Sequence, residues 1–330
     1  MNITKRSRKN PILRPDKTRL WEAVAAFNGC PAPVNGTIHF VYRAVSSLEI
    51  YKGREMHISS IGYAVSTDGL HFNHRRQLMR PEFEWEQFGC EDPRITKLGK
   101  KFYIFYTALS AFPFSPQGIK IGVGITSDFK EIEKHLVTTF NSKAMALFPE
   151  TINGKLAALV TVNTDNPPAN ICIAYFDKEE DIWSVDYWNK WYASLDSHIL
   201  AIPRGPKDHI EVGAPPIKTK HGWLFIYSSI KNYFAPPPIF GVSAVLLDLK
   251  DPSKIIGKTS EFILVPEADY ERKGEVANIV FPSGAFVKGE TLYLYYGAAD
   301  TTCCVATLKI KDLMAILLSP AHRTQLLTKF

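Results

Sequence analysis

A glycine followed by an apolar run of strand length recurs five times in this chain. The five openings begin at Gly36, Gly99, Gly154, Gly222 and Gly289, so successive repeats start 63, 55, 68 and 67 residues apart. Each opening is followed by a second apolar run and then by a turn with an acidic residue. Repeats of this length, built from strands and turns, are typical of β-propellers. The sequence therefore predicts an all-β fold, a five-bladed β-propeller, in which residues at equivalent strand ends surround one central funnel.

The five repeats together predict a single domain over residues 1–330. Residues 1–30 read as an irregular N-terminal arm, and Lys311–Leu318 is the one stretch that favours a helix, near the end of the chain. Proline-rich segments at 166–168 and 236–238 are expected to be surface loops, because proline has no amide donor for a central strand. The second apolar run of each repeat predicts a further strand, in order Ile61–Val65, Ile121–Ile125, Ile171–Tyr175, Val242–Leu247 and Cys304–Leu308.

Composition excludes several classes of function. The formal net charge is +6, part of it in the basic arm, but no nucleic-acid-binding motif accompanies it. The five cysteines show no CxxC spacing, and the nine histidines show no metal-binding spacing, so we expect neither a disulfide framework nor a metal site. Secretory and membrane-spanning segments are not apparent, which favours the cytoplasm. Nucleotide cofactors are not expected, and assembly into homo-oligomers through the arm stays open.

Asp92 is the best candidate for chemistry on the residues alone. Cleavage of a glycoside requires an acid for the leaving oxygen and a base or nucleophile opposite it. Asp92 lies in Gly89-Cys-Glu-Asp-Pro-Arg-Ile95, where two adjacent carboxylates precede a proline and an arginine. On an extended segment Glu91 and Asp92 should point to opposite sides, with Arg94 on the side of Asp92. A structural role, in which Asp92 caps a turn and Arg94 neutralises it, is equally compatible with the residues.

An ordered set of motifs resembles glycoside hydrolase family 130, which contains β-mannoside phosphorylases and β-mannosidases on five-bladed propellers. The segment Gly89–Ile95, with Tyr106-Thr-Ala108 downstream, is similar to the signature of that family. Each further motif is modest, but together they extend over most of the chain: Asn28, Tyr42-Arg-Ala44, Ser66-Thr-Asp-Gly69, Leu147-Phe-Pro-Glu150, Gly213-Ala-Pro-Pro-Ile217, Pro266-Glu267, Asn278–Gly284 and Tyr295–Asp300.

The resemblance implies roles for individual residues. Asp92 would be the catalytic acid, passing its proton to the leaving oxygen directly or through a sugar hydroxyl. Asp300 would hold the mannose at the cleaved subsite, and Arg43 and Arg94 would contact sugar hydroxyls. The substrate-binding candidates are, in full, Asn28, Arg43, Ser46, Glu91, Arg94, Tyr227 and Asp300.

Departures from the family pattern favour hydrolysis over phosphorolysis. Phosphorylases of the family carry a His-Arg pair in blade three and a Tyr-His-Gly turn in blade four. The corresponding residues of this chain, 160–165 and 227–230, include no cationic side chain. Cationic donors suit phosphate oxygens, so their loss weakens an anion site. Glu211 replaces a small residue and could activate water as a general base, with Glu150 as the less favoured base. The first hypothesis is therefore an inverting β-mannosidase acting on manno-oligosaccharides with Asp92 as acid.

Two alternatives remain. The first is an inverting β-mannoside phosphorylase that releases mannose 1-phosphate, with inorganic phosphate as co-substrate and Lys143, Lys218 or Lys231 as its cation. The second is a non-catalytic sugar-binding propeller, since a fold never proves catalysis. The linkage that is cleaved would depend on loops such as 108–118 and 231–238.

Overall fold

Strands dominate the structure. The computed structural model describes residues 3–319. Its α-helices are α1 (Val185–Ala193), α2 (Asp269–Arg272) and α3 (Ile310–Leu317). Its strands are β1 (Lys5–Arg6), β2 (Ala25–Val34), β3 (Thr37–Val45), β4 (Glu49–Tyr51), β5 (Arg54–Met56), β6 (Ser59–Ser66), β7 (Asn73–Met79), β8 (Gly89–Leu98), β9 (Lys101–Leu109), β10 (Ile119–Thr126), β11 (Glu133–Leu136), β12 (Ser142–Leu147), β13 (Leu156–Val162), β14 (Asn170–Phe176), β15 (His209–Val212), β16 (Ile217–Lys218), β17 (Trp223–Lys231), β18 (Ile239–Leu247), β19 (Ile255–Lys258), β20 (Val280–Lys288), β21 (Thr291–Ala298) and β22 (Thr302–Lys309). The all-β fold class is thereby confirmed.

The strands form five consecutive antiparallel groups that follow the sequence repeats. Group 1 contains β2, β3, β6 and β7; group 2 contains β8 to β11; group 3 contains β12 to β14; group 4 contains β15 to β19; and group 5 contains β20 to β22. The first strands contact one another in the order β20, β2, β8, β12, β15, and β20 also contacts β16 and β17 of group 4. This cyclic order is the one that a five-bladed propeller requires, and the propeller itself stays a prediction.

Hydrophobic cores lie between successive groups. Groups 1 and 2 share a core around Val41 and Ile104, and comparable cores join groups 2 and 3, groups 3 and 4, and groups 4 and 5. A further core joins group 5 back to group 1 and includes Phe40 and Tyr295, whose ring centroids lie 5.5 Å apart. Because burial of these large side chains is the main source of stability, each group depends on both of its neighbours.

Four of the repeated glycines lie in the turn between the first and second strands of their groups, and Gly222 lies between β16 and β17 of group 4. The strand that follows each glycine therefore does not open its group, whereas the sequence repeats suggest that it does. Asn35-Gly36 and Asn153-Gly154 have positive φ at both residues (49° and 81°, 51° and 81°). These angles suit the tight turns that join two antiparallel strands, which explains why glycine recurs there.

The N-terminal arm is more regular than expected. Its residues 5–6 form β1, which pairs antiparallel with β22, and β2 already begins at Ala25. The Arg6 guanidinium binds the Glu271 carboxylate at 2.8 Å. The prediction of an irregular arm over residues 1–30 is thus wrong in part, because the edge of β22 offers unpaired backbone groups that β1 satisfies.

The terminal helix is confirmed to within one residue, whereas α1 was not expected. Ser184 caps α1 by accepting a hydrogen bond from the Tyr187 amide at 3.3 Å. Trp188 and Trp191 are buried in the core between groups 2 and 3. Their spacing of three residues on one helix face, preceded by a capping serine, is the signal in the sequence that predicts this helix.

All five cysteines are buried and unpaired. Within residues 3–319, helices that combine the length and the apolar character needed to cross a membrane were not found.

Candidate active site

The first strands of four groups each contain an irregularity in pairing shortly after the strand begins. The pairing register shifts at 27–30 in β2, at 91–94 in β8, at 143–145 in β12 and at 282–284 in β20. Asn28, Asp92 and Ala144 adopt positive φ at these points (51°, 50° and 47°). A β-bulge re-aims side chains, and positive φ outside glycine is uncommon. Glu91 and Asp92 therefore both reach Arg43, and the expectation that they point to opposite sides is wrong.

The Asp92 carboxylate is held by side chains from group 1. Asn28 Nδ2 donates to Asp92 Oδ1 at 2.7 Å, and Arg43 Nη1 lies 3.6 Å from the same oxygen. Arg43 Nη2 also binds Glu91 Oε1 at 2.5 Å. Burial opposes ionisation of Asp92, but Arg43, Arg94 and Asn28 outweigh it and lower the pKa of this carboxyl.

Asp300 completes what we call the Asp92 cluster: Asn28, Arg43, Glu91, Asp92 and Asp300. Asp300 follows β21 and has φ of 50°. The pKa of the Asp300 carboxyl is raised to about 6, chiefly by burial. The Asp92 and Glu91 carboxylates also raise it, and Arg43 opposes the shift. Within this cluster Asp92 is thus ionised while Asp300 retains a proton at mildly acidic pH.

One polar atom of the Asp92 cluster is unsatisfied. Asn28 Oδ1 is buried without a hydrogen-bond partner among the described residues. A Cβ atom at Gly297 would lie only 2.0 Å from this oxygen, so the glycine makes room for the amide. Buried acceptors normally have partners, and an orphan at such a place is a candidate ligand contact.

A second set of charged side chains lies beside the first; we call it the Lys143 cluster, and it comprises Lys143, Asp165, His209 and Glu211. Lys143 Nζ lies 3.2 Å from Asp165 Oδ1, and His209 Nε2 lies 3.1 Å from Glu211 Oε1. Burial lowers the pKa of Lys143, but the carboxylates of Glu211, Asp165 and Glu91 outweigh it and raise that pKa. Lys143 is therefore a fixed positive charge.

The two clusters together hold more acidic than basic groups. Their carboxyl groups belong to Glu91, Asp92, Asp165, Glu211 and Asp300, and their permanent cations are Arg43 and Lys143. Acid–base and sugar-binding chemistry both use such carboxylates. An anion bound here would have to lie on the side of the two cations.

Four sequence candidates do not take part in this arrangement as expected. Arg94 is fully buried and donates to the backbone oxygens of Gly213 at 2.6 Å and Asp92 at 2.8 Å, so it braces the strands. Tyr227 packs in the core between groups 3 and 4, because it lies on the same face of β17 as Trp223 and Phe225.

Glu150 and Ser46 also lie outside the clusters. Glu150 is half exposed and pairs with Lys218 near the far end of β12, which leaves Glu211 as the remaining candidate base. The Ser46 hydroxyl accepts the Ile58 amide at 2.9 Å within the loop that follows β3. Of the three lysines considered for phosphate, only Lys143 reaches the clusters, since Lys231 lies over the Phe262 ring.

The sequence contains a signal for the Asp92 cluster that the repeat pattern did not reveal. Trp21-Glu22 and Trp85-Glu86 each lie six residues before the residue with positive φ, Asn28 in one case and Asp92 in the other. Tyrosines of the second strands donate to these glutamates: Tyr42 to Glu22 at 2.7 Å, and Tyr106 to Glu86. The same buried support therefore precedes both partners of the Asn28–Asp92 hydrogen bond.

Metal-binding clusters are not apparent in this region. Over residues 3–319, groups of three or more His, Cys, Asp or Glu side chains suited to a metal ion were not found.

Comparison with known proteins identifies the family. A model of glycoside hydrolase family 130, described as beta-1,4-mannooligosaccharide phosphorylase, matches residues 3–319. The 1,2-beta-oligomannan phosphorylase of Thermoanaerobacter sp. is 35% identical over 94% of this chain and 98% of its own. The beta-1,2-mannobiose phosphorylase of the same organism is 36% identical over 93% and 97%. The structure of beta-1,2-mannobiose phosphorylase from Listeria innocua superposes with a TM-score of 0.79 at 27% identity, covering 96% of this chain and 99% of that one.

The match extends over nearly the whole chain and includes every strand group. Both the family model and the two relatives above 30% identity span the Asp92 and Lys143 clusters. The chain belongs to glycoside hydrolase family 130.

Proposed function

We propose that this protein is an inverting β-mannoside phosphorylase that cleaves β-1,2-linked manno-oligosaccharides with inorganic phosphate. The observation that carries the proposal is the full-length similarity to two phosphorylases of β-1,2-mannosides, at 35% and 36% identity. The similarity favours phosphate as the acceptor over the water that the sequence departures suggest. The five strand groups would be the blades of a propeller, with the Asp92 and Lys143 clusters in its funnel.

In this proposal Asp92 supplies the proton to the leaving oxygen. Phosphate forms a bond to the anomeric carbon from the opposite face while the glycosidic bond breaks and its electron pair leaves with the sugar oxygen. Because Arg43 and Asn28 hold Asp92 ionised, the carboxyl has to gain its proton in the enzyme–substrate complex. A sugar hydroxyl that takes over one of these contacts would raise the pKa of Asp92 and could relay the proton.

Lys143 is the cation that we assign to phosphate. It is permanently charged, it lies beside Asp92, and the other two candidate lysines lie elsewhere. Arg43 is the second positive charge of the clusters. Positioned cations of this kind stabilise phosphate oxygens without rearrangement during the reaction.

Product analysis tests the acceptor. Purified enzyme is incubated with β-1,2-mannobiose with and without inorganic phosphate, and mannose 1-phosphate and mannose are quantified. We expect mannose 1-phosphate only with phosphate, loss of turnover in Asp92→Asn, and unchanged turnover in Asp128→Asn, an exposed turn aspartate that serves as a matched control. Equal release of free mannose in both conditions would refute phosphorolysis.

Hydrolysis is the second candidate, because Glu211 places a carboxylate beside Lys143. A carboxylate repels phosphate but can activate water. The Glu211→Gln variant separates the two functions. In a phosphorylase it relieves repulsion and lowers the KM for phosphate, whereas in a hydrolase it removes the base and abolishes release of mannose.

A further inference from the structure

Exposed aromatic side chains are concentrated in two loops next to the Lys143 cluster. Within residues 3–319 six large aromatic side chains are exposed, and four of them lie in loops 110–118 and 232–238. Their exposed fractions are 36% for Phe112, 53% for Phe114, 39% for Tyr233 and 42% for Phe234. A large aromatic ring that stays exposed to water forgoes the favourable free energy of burial. Four such rings in two loops therefore indicate that a ligand or partner binds there.

Strand register places both loops at the same end of the molecule as the candidate site. Leu109, the last residue of β9, pairs with Gly89, two residues before Glu91. Ile230, near the end of β17, pairs with His209, two residues before Glu211. Two residues of a strand span about 7 Å, so each loop begins within one sugar length of a site carboxylate.

Hydrogen bonds, an ion pair and electrostatic interactions link the two loops through the Lys143 cluster. Asn141 Nδ2 donates to Pro116 O of loop 110–118 at 2.9 Å and to Asp165 Oδ2 at 2.9 Å. Asp165 in turn binds Lys143. The Tyr233 phenol of the other loop lies within electrostatic range of Lys143 and Asp165. Polar side chains thus connect the two loops that contain the exposed aromatic rings.

Tyr233 is held in a fixed orientation. Its ring stacks on His209 with centroids 4.4 Å apart and an interplanar angle of 24°. His209 is itself buried and bound to Glu211. One face of the Tyr233 ring is therefore fixed against the site, while more than a third of the side chain is open to solvent.

We infer that loops 110–118 and 232–238 form a binding site for mannosyl units beyond the two that flank the scissile bond, so that the protein favours oligosaccharides over disaccharides. The apolar faces of sugar rings would lie against Tyr233 and Phe112, and their hydroxyls would contact Asn141 and Asp165. Aromatic rings provide both apolar area and a fixed geometry for such stacking. This inference rests on the proposed function for the identity of the sugar.

Binding measurements without turnover test the site. The Asp92→Asn variant serves as the parent, and its dissociation constants for β-1,2-mannobiose and β-1,2-mannotetraose are measured by calorimetry. We expect Tyr233→Ala and Phe112→Ala to weaken tetraose binding about tenfold more than biose binding, since stacking against one ring is worth about that factor. Tyr233→Phe keeps the ring and should keep the preference. Phe83→Ala, an exposed ring outside both loops, is the matched control.

Several results would overturn the inference. Unaltered tetraose binding in Tyr233→Ala and Phe112→Ala would do so, as would equal losses for both sugars or a parent that does not bind the tetraose. Thermal unfolding of each variant verifies that its fold is retained. Failure of the proposed function looks different, because wild-type protein would then bind the tetraose yet release no mannose 1-phosphate in the presence of phosphate.

Discussion

The raised pKa of Asp300 predicts that removing its charge stabilises the protein in a pH-dependent way. The folded protein raises this pKa from 3.8 to about 6, through burial and neighbouring carboxylates that outweigh Arg43. Between these pH values the folded state binds more protons than the unfolded state, so stability falls as pH rises through the window. At about 1.4 kcal/mol per pKa unit, the cost above pH 6 reaches about 3 kcal/mol. The Asp300→Asn variant removes this cost.

Thermal unfolding at two pH values measures the effect. A chain of this length has an unfolding entropy of about 0.7 kcal/mol per kelvin, so 3 kcal/mol corresponds to about 4 °C. We expect Asp300→Asn to unfold up to about 4 °C higher than wild type at pH 7.5, with the difference approaching zero at pH 4.0. Together with loss of turnover in the same variant, a gain of this kind would be an instance of stability given up for activity.

A control of opposite sign is available in Asp68. Burial opposes its ionisation, but bonds from His71, Leu70 and Ser66 outweigh burial and lower its pKa. Its ionised form therefore stabilises the fold at neutral pH, and Asp68→Asn should lower the unfolding temperature at pH 7.5. If Asp300→Asn destabilised the protein at pH 7.5, or raised the unfolding temperature equally at both pH values, the electrostatic account of Asp300 would be wrong.

Three further substitutions test separate parts of the site. Gly297→Ala brings a Cβ to within 2.0 Å of Asn28 Oδ1, so it should cost about 1–3 kcal/mol in chemical denaturation and reduce mannobiose turnover; wild-type behaviour would contradict the close approach. Lys143→Met should raise the KM for phosphate at least about tenfold while the KM for mannobiose changes less, and equal changes would remove Lys143 from phosphate binding. Tyr106→Phe deletes a hydrogen bond to the buried Glu86 carboxylate and should cost about 1–3 kcal/mol by urea denaturation, whereas a cost near zero would show that this support is dispensable.

Local patterns in the sequence predicted two strands in each of the five groups. The second apolar runs correspond to β6, β10, β14, β18 and β22, and the helix near the C-terminus lies within one residue of its predicted position. These predictions succeed because strand alternation, apolar runs and Asn-Gly turns depend on neighbouring residues. Helix α1 has the same kind of local signal in its spaced tryptophans, Trp188 and Trp191.

The position of side chains around the site could not be obtained in this way. The β-bulge at 91–94 breaks the alternation of β8, and Arg43 consequently contacts both Glu91 and Asp92. A bulge depends on the partner strand, so the sequence of β8 alone does not reveal it. The role of Arg94 could not be predicted from its own segment either. Its guanidinium donates a hydrogen bond to the backbone oxygen of Gly213 in group 4, more than one hundred residues further along the chain.

The sequence by itself determined the all-β class, the five repeats and the family, and it singled out Asp92 as the candidate acid. These follow from local periodicity and from short motifs whose order is preserved along the chain. Only the tertiary structure decided which charged groups meet: it joined Lys143 to Asp165 and Arg43 to Glu91, and it set Glu150 apart. The physical reason is that ionisation and contact depend on distance and burial in space, which are properties of the assembled strand groups rather than of any one segment.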